Sequence, residues 1–377
     1  MRIDTNTKMS MDTNTKMGYK LYLPENVLDA ATKRISALFD GFKNIVVSIS
    51  GGKDSTVLLE LCRREALRRG REVAAFFLDQ EAEYRSTIDQ VKHLLAQEAI
   101  KPFWFQAPLR MTNATSLRVD FLNAWYPEER WMREKDPMAI HKLDADYPRR
   151  FYPFFDWWER NHWNVKETCF VVALRAEESL NRFRTVAKNP GWQGCNWTSR
   201  NRNTGIIMAY PMYDWTFEDV WHYIAENELK YNRIYDFMHR RGYRIQDVRV
   251  SYLCHENSLK CLESLHEFEP DTYAKLLERM PGIHVAARYS KENMIFNASK
   301  LPPAFESWKE YRDFLLETTP SLHIDRFRQR FAKQGDAPEI CRQQCRQLLI
   351  NDWEQNIPVV KPKQDKKDRL EKWRKIL

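Results

Sequence analysis

The chain has 377 residues, 43% of them hydrophobic and 30% charged, with a formal net charge of +8. That length buries a substantial core, expected as one larger domain with a smaller one appended. No apolar run is long enough for a membrane span, the N-terminus lacks the basic-then-apolar order of a signal peptide, and seven cysteines form no small-scaffold pattern; a cytoplasmic protein with reduced thiols is the expectation.

Residues 1–18 repeat Asp4-Thr-Asn-Thr-Lys-Met9 as Asp12-Thr-Asn-Thr-Lys-Met17, a polar repeat that builds no core and reads as a disordered extension. Leu28, Ile35, Leu38 and Phe39 then mark a helix. Ile45 to Ile49 carry the branched residues of a short buried strand, and Val57, Leu58, Leu61 and Cys62 recur on one helical face. The cluster between them, Ser50-Gly51-Gly52-Lys53-Asp54-Ser55, is therefore a strand-to-helix turn. Paired glycines let backbone N–H groups approach an anion, the helix start adds unpaired donors, and Lys53 adds a charge. The spacing fits neither the Walker A motif nor the dinucleotide fingerprint. Val73 to Leu78 form a second strand ending at Asp79, followed by a helix near Thr87 to Gln97 and a third strand at Phe103-Trp-Phe105. Such alternation predicts an α/β fold with a doubly wound, mainly parallel sheet.

Residues 116–163 hold twelve aromatics but slightly more acids than bases. They read as an insertion over the edge or mouth of the sheet, a satellite core or lid in preference to a stacking platform for bases. Thr168 to Leu174 resume the sheet. Thr216 is a candidate N-cap with Asp219 three residues on, and Val220, Trp221, Ile224 and Ala225 share a helical face. The expected division is a nucleotide-binding domain over 19–255, a helical C-terminal domain over 256–360, and a basic tail over 361–377. That tail carries net +5; it is either a nucleic-acid contact or a solvated terminus, and the rest of the chain is nearly balanced.

The loop Ser50 to Ser55 resembles the PP-loop of the adenine-nucleotide α-hydrolase superfamily, which includes ATP pyrophosphatases and phosphoadenosine phosphosulfate (PAPS) reductases. Asp79-Gln-Glu81-Ala-Glu83-Tyr84-Arg85-Ser-Thr87 is similar to a stretch that lies beside the nucleoside in PAPS reductases. A carboxylate there binds ribose or magnesium, or else caps a helix. Arg175-Ala-Glu177-Glu178-Ser179-Leu-Asn-Arg182 resembles the family's Gly-x-Arg-x-x-x-Ser-x-x-Arg stretch, with Ala173 in the place of the glycine, and Arg184, Lys188, Arg200 and Arg202 either extend the positive charge or form a solvated basic loop. Pro211 to Trp221 resembles a further block. The resemblance implies ATP or PAPS with Mg2+, held by Ser48, Ser50, Gly51, Gly52, Lys53, Asp54, Ser55, Asp79, Glu81, Arg175 and Ser179, with Lys53, Arg175 and Arg182 as catalytic candidates.

The departures alter the expected chemistry. PAPS reductases end in Glu-Cys-Gly-x-His, whose cysteine attacks sulfur; no cysteine follows Cys345 here. The cysteine pairs of the iron–sulfur branch are also missing, and Cys254 with Cys261 or Cys341 with Cys345 have no standard ligand spacing. The His255-Glu256 dipeptide reads as a satisfied structural pair. With its helical C-terminal region, the chain resembles PAPS-reductase-like proteins of phages and prophages, including the immunoglobulin-binding regulator A type (IbrA), described as transcriptional co-activators with a ParB-like partner. Three functions follow: ATP cleavage between the α- and β-phosphates with adenylation of an acceptor, thiol reduction of a sulfonucleotide, or a non-catalytic nucleotide-responsive regulator.

Overall fold

The computed structural model describes residues 24–113, 119–143, 146–188, 191–255, 258–280, 282–283, 300–355 and 359. The polar repeat of 1–18, Glu256 and the basic tail of 361–377 lie outside them.

The order of apolar residues dictates a sheet covered on both faces. β1 (Asn44–Ser48) and β2 (Val73–Leu78) are almost entirely buried, as expected of strands in a parallel sheet, whose two faces are both packed. β3 (Ile100–Phe105), β6 (Thr168–Val172) and β8 (Ile207–Ala209) complete the parallel set, and β7 (Thr198–Arg200) adds an antiparallel edge, giving the order β3-β2-β1-β6-β8-β7. The register places Ser48 opposite Phe76 on β2 and Val172 on β6.

Alternate side chains separate into two cores, as the two-residue period of a strand requires. Ile45, Val47, Ala75, Phe77 and Val171 face α1 (Val27–Gly41), α2 (Lys53–Arg68), α3 (Arg85–Leu95) and α6 (Phe217–Glu226). Val46, Ala74, Phe76, Phe105 and Phe170 face α4 (Phe151–His162), α7 (Ile234–Arg240), α8 (Leu259–Phe268) and α9 (Pro270–Arg279). The Thr216–Asp219 capping box forms at the start of α6, but its buried face is Val220, Tyr223 and Ile224, with Ala225 exposed.

The aromatic segment covers a sheet face as well as the edge. The strands β4 (Leu109–Thr112) and β5 (Phe121–Ala124) pair as a hairpin, and α4 places Trp158 against Phe76 with ring centroids 4.6 Å apart. Burial, more than stacking on bases, accounts for Phe154, Trp125 and Trp158.

The helical C-terminal region reaches back to the sheet. The Glu269 carboxylate accepts from the N–H groups of Arg85 and Ser86 at 2.7 and 2.9 Å, capping α3 from the start of α9. Helices Trp308–Thr318, Ile324–Gln334 and Pro338–Leu349 enclose a separate core of Leu315, Phe327, Phe331, Cys345 and Leu348. Among the described residues no helix is long and apolar enough to cross a membrane.

Candidate functional site

β1 sits at the centre of the sheet, where the chain first winds outward through β2 and β3 and later returns on the other side as β6. The carboxyl ends of β1 and β6 therefore diverge, which opens a crevice at a topological switch point. The loop Ser50 to Ser55 leaves β1 there and Ala173 to Glu178 leaves β6. Between them lies a cavity of about 660 Å³, lined by Ser48, Ser50, Gly52, Lys53, Asp54, Ser55, Arg175, Glu177, Glu178 and Arg182.

The loop is held by its own hydroxyls. Ser55 Oγ donates to Gly52 O at 3.0 Å and accepts from the Ser50 N–H at 3.2 Å, and the Gly52 N–H donates to Ser50 Oγ at 3.3 Å. Helix α2 begins at Lys53 with no side-chain cap, so the first-turn N–H groups of Asp54 and Ser55 have no intrahelical partner and are available to an anion.

The two glycines differ in purpose. Gly51 has φ +68°, and a Cβ there would lie 2.9 Å from Thr87 Cγ2 and 3.1 Å from Thr87 O, so it serves a left-handed turn packed on α3. Gly52 lines the cavity, where a Cβ would come within 3.0 Å of the Tyr235 hydroxyl.

Lys53, Asp54, Arg175, Glu177, Glu178 and Arg182 are already paired with one another. Lys53 Nζ lies 2.8 Å from Asp54, and Arg175 Nε donates to Asp54 at 2.6 Å while its other nitrogens reach Glu177 and Glu178. Arg182 pairs with Glu178. Burial pushes the Asp54 carboxyl up, and the adjoining Lys53 and Arg175 outweigh it, leaving Asp54 below the ordinary carboxylate value. Four cations (Lys53, Arg175, Arg182, Arg249) face four carboxylates (Asp54, Glu177, Glu178, Glu218) in the lining. Net charge thus supplies little attraction for a polyphosphate; oriented N–H groups and exchange of carboxylate for phosphate as the partner of Lys53 and Arg175 would supply it.

Asp79, Glu81 and Ser179, expected at the site, lie outside the cavity lining. Asp79 is fully buried, accepting from Trp104 Nε1 and Gln106 Nε2, both at 2.9 Å, from the Glu81 N–H at 3.0 Å and from Arg133. It neither lines the cavity nor caps α3, whose N-cap is Tyr84. Glu81, also fully buried, accepts from the N–H groups of Trp125 and Met132 and from Arg279. Their carboxylates are consumed in joining β2 to the hairpin and α9. The segment still touches the loop through Thr87, whose Oγ1 accepts from Asn232 at 3.0 Å. Ser179, just before α5 (Leu180–Lys188), is exposed and accepts from the Arg182 N–H at 3.2 Å, outside the cavity lining.

Three residues escape sequence reasoning. The Tyr235 hydroxyl accepts from the Lys53 N–H at 3.1 Å, Asn232 Nδ2 donates to Gly51 O at 3.2 Å, and the Phe217 ring lies 5.2 Å from Lys53 Nζ. Phe217 directly follows the Asp214-Trp215-Thr216 block, the one local signal. Tyr235 and Asn232 lie far along the chain and carry none.

None of the seven cysteines lines the cavity. Burial pushes the thiols of Cys254 and Cys345 up to about 12, away from the thiolate form a nucleophile needs. Among the described residues no three His, Cys, Asp or Glu side chains converge as a metal site.

Residues 44–244 match the family model described as phosphoadenosine phosphosulfate reductase domain, and residues 242–336 match a domain of unknown function, DUF3440. The uncharacterized protein YbdN of Escherichia coli (strain K12) is 28% identical over 373 residues, covering 89% of this chain and 90% of that protein. An adenosine 5'-phosphosulfate reductase of Oceanobacillus iheyensis is 22% identical over 219 residues, 58% of this chain and 77% of that protein. Among solved structures, a PAPS reductase from Candida auris in a phosphate complex aligns at 14% identity with a TM-score of 0.30, covering 62% of this chain and 98% of that one.

Proposed function

Because the chain belongs to the phosphoadenosine phosphosulfate reductase domain family, we propose that its PP-loop cavity binds an adenine nucleotide and, lacking a thiol, carries out adenylyl transfer from ATP. The carrying observation is the pairing at one switch point of Ser50 to Ser55 with Arg175, in a cavity that no cysteine lines. An acceptor oxygen attacks the α-phosphorus, the bond from that phosphorus to the α–β bridging oxygen breaks, and pyrophosphate leaves with the electron pair. The Asp54 and Ser55 N–H groups and Lys53 hold the leaving phosphates where charge develops, and Arg175 and Arg182 orient them.

Magnesium would enter with the phosphates. The four lining carboxylates form no metal cage among the described residues, which suits an ion that keeps waters and takes only one or two protein ligands. Asp54 and Glu178 would contact it once phosphate replaces them on Lys53 and Arg175, and the ion would supply charge neutralisation to a cavity whose own charges cancel.

Names of the relatives favour a second reading, reduction of a sulfonucleotide. It requires an external thiol donor reaching the cavity, since none of the chain's own thiols lines it. Incubation of the purified protein with ATP or PAPS, followed by mass analysis of products, separates the readings. AMP or an adenylylated acceptor with pyrophosphate supports the proposal. Sulfite supports reduction, and intact nucleotide supports a regulator of the IbrA type acting through a ParB-like partner or nucleic acid; either result overturns adenylyl transfer.

A further inference from the structure

A second cavity, of about 750 Å³, opens beside the first at the same carboxyl edge of the sheet, with Gln80 just past β2 in its wall. One short segment divides the two: Val250 and Ser251 line the PP-loop cavity, Tyr252 and His255 line the second. The neighbouring residues Ser251 and Tyr252 thus contribute to one cavity each.

The lining has a definite chemistry. Tyr152, at the start of α4, is 79% exposed, unlike the buried aromatics of the same helix, and its described ring contact is the perpendicular one with Phe151 at 5.4 Å, so most of the ring is accessible to a planar group. Two arginines face the cavity. Arg150 is bound by Glu354, which also accepts from Thr112 Oγ1 at 3.3 Å, and so both charges of that pair are committed. Arg110 is exposed and pairs with no carboxylate among the described residues, leaving the cavity one uncompensated cation. An accessible aromatic ring and an unpaired guanidinium in the lining of one cavity, of small-ligand volume, match a base with its phosphate.

We propose that this cavity seats a nucleoside 5'-phosphate, its base on Tyr152 and its phosphate on Arg110, as a free nucleotide or as one unit of a single strand. That the seat holds the acceptor of the adenylyl group rests on the function proposed above; the binding itself does not.

The test titrates the full-length protein with uridine 5'-monophosphate and, separately, with a short single-stranded oligothymidylate, while a non-hydrolysable ATP analogue reports on the PP-loop. Tyr152→Ala and Arg110→Ala change exposed side chains and leave the fold intact. Each is expected to weaken probe binding about ten-fold or more, from stacking and charge-assisted contacts, with the ATP analogue held within about two-fold. Lys53→Ala is expected to do the reverse. Binding of both probes supports a free-nucleotide seat, and binding of the oligonucleotide alone, weakening steeply with salt, supports a strand. Failure of both probes to bind, or binding indifferent to both substitutions, overturns the proposal. Loss of the analogue alone would instead overturn the nucleotide function of the PP-loop.

Discussion

Replacing Gly51 by alanine tests whether the loop's shape comes from backbone geometry and packing together. The residue has φ +68°, where an L side chain costs about 1 kcal/mol once the stiffer unfolded chain is counted. Its new Cβ would sit 2.9 Å from Thr87 Cγ2, 3.1 Å from Thr87 O and 3.2 Å from Val91 Cγ2. Thr87 O is backbone at the first turn of α3, so the contact is not relieved by a rotamer change, and crowding of this kind costs about 1–3 kcal/mol more. Gly70 supplies the control, because its φ is +61° with nothing within 4 Å of the added Cβ. Denaturant unfolding should therefore show Gly70→Ala destabilised by about 1 kcal/mol and Gly51→Ala by about 2–4 kcal/mol. The ATP analogue should bind the first variant normally and the second weakly, since the strained loop displaces the N–H groups of α2. Equal destabilisation by the two substitutions would refute the packing argument, and unaltered analogue binding by a destabilised Gly51→Ala would refute its link to the site.

Further outcomes follow from single contacts. Tyr235→Phe removes the acceptor of the Lys53 N–H and should cost about 1–3 kcal/mol in denaturant unfolding; a change below about 0.5 kcal/mol would contradict that hydrogen bond. Burial, reinforced by Asp79 and opposed by Arg133, pushes Glu83 up to about 8. A carboxyl raised in the fold stabilises fully below its unfolded value, and that contribution is lost as pH rises from about 4.5 through about 8. Stability measured across that window should decline, and Glu83→Gln should flatten the slope; an unchanged slope would contradict the assignment. Six cysteines are buried and Cys195 is intermediate. Iodoacetamide should modify Cys195 alone in the native protein, with product formation unaffected, whereas activity lost in step with labelling would favour a thiol mechanism.

The fold was legible where the hydrophobic pattern had a single solution. Val73–Leu78 forms the expected strand residue for residue, because a fully apolar run bounded by polar residues fits only a strand buried on both faces. The loop was legible for a similar reason, its glycines, lysine and serines lying within one turn. Asp79 and Glu81 were not, because a carboxylate at a strand end carries no local sign of whether it faces a ligand or a buried Trp104 and Arg279. The roles of Tyr235 and Asn232 depend on the chain returning from more than 180 residues away to the loop, which no local periodicity encodes. The aromatic segment was expected over the edge or mouth, whereas Trp158 packs against Phe76 on the face of the sheet. Composition fixed its burial but not its place.

Cleavage between the α- and β-phosphates is detected by positional isotope exchange in ATP. ATP carrying an oxygen-isotope label in its α–β bridge is incubated with the wild-type protein and with Lys53→Ala, with and without the probes of the second cavity. Reversible cleavage frees the pyrophosphate to rotate, so the wild type should move label from the bridge to non-bridging β positions while Lys53→Ala does not. Label that stays in the bridge under every condition, with the nucleotide demonstrably bound, would contradict adenylyl transfer.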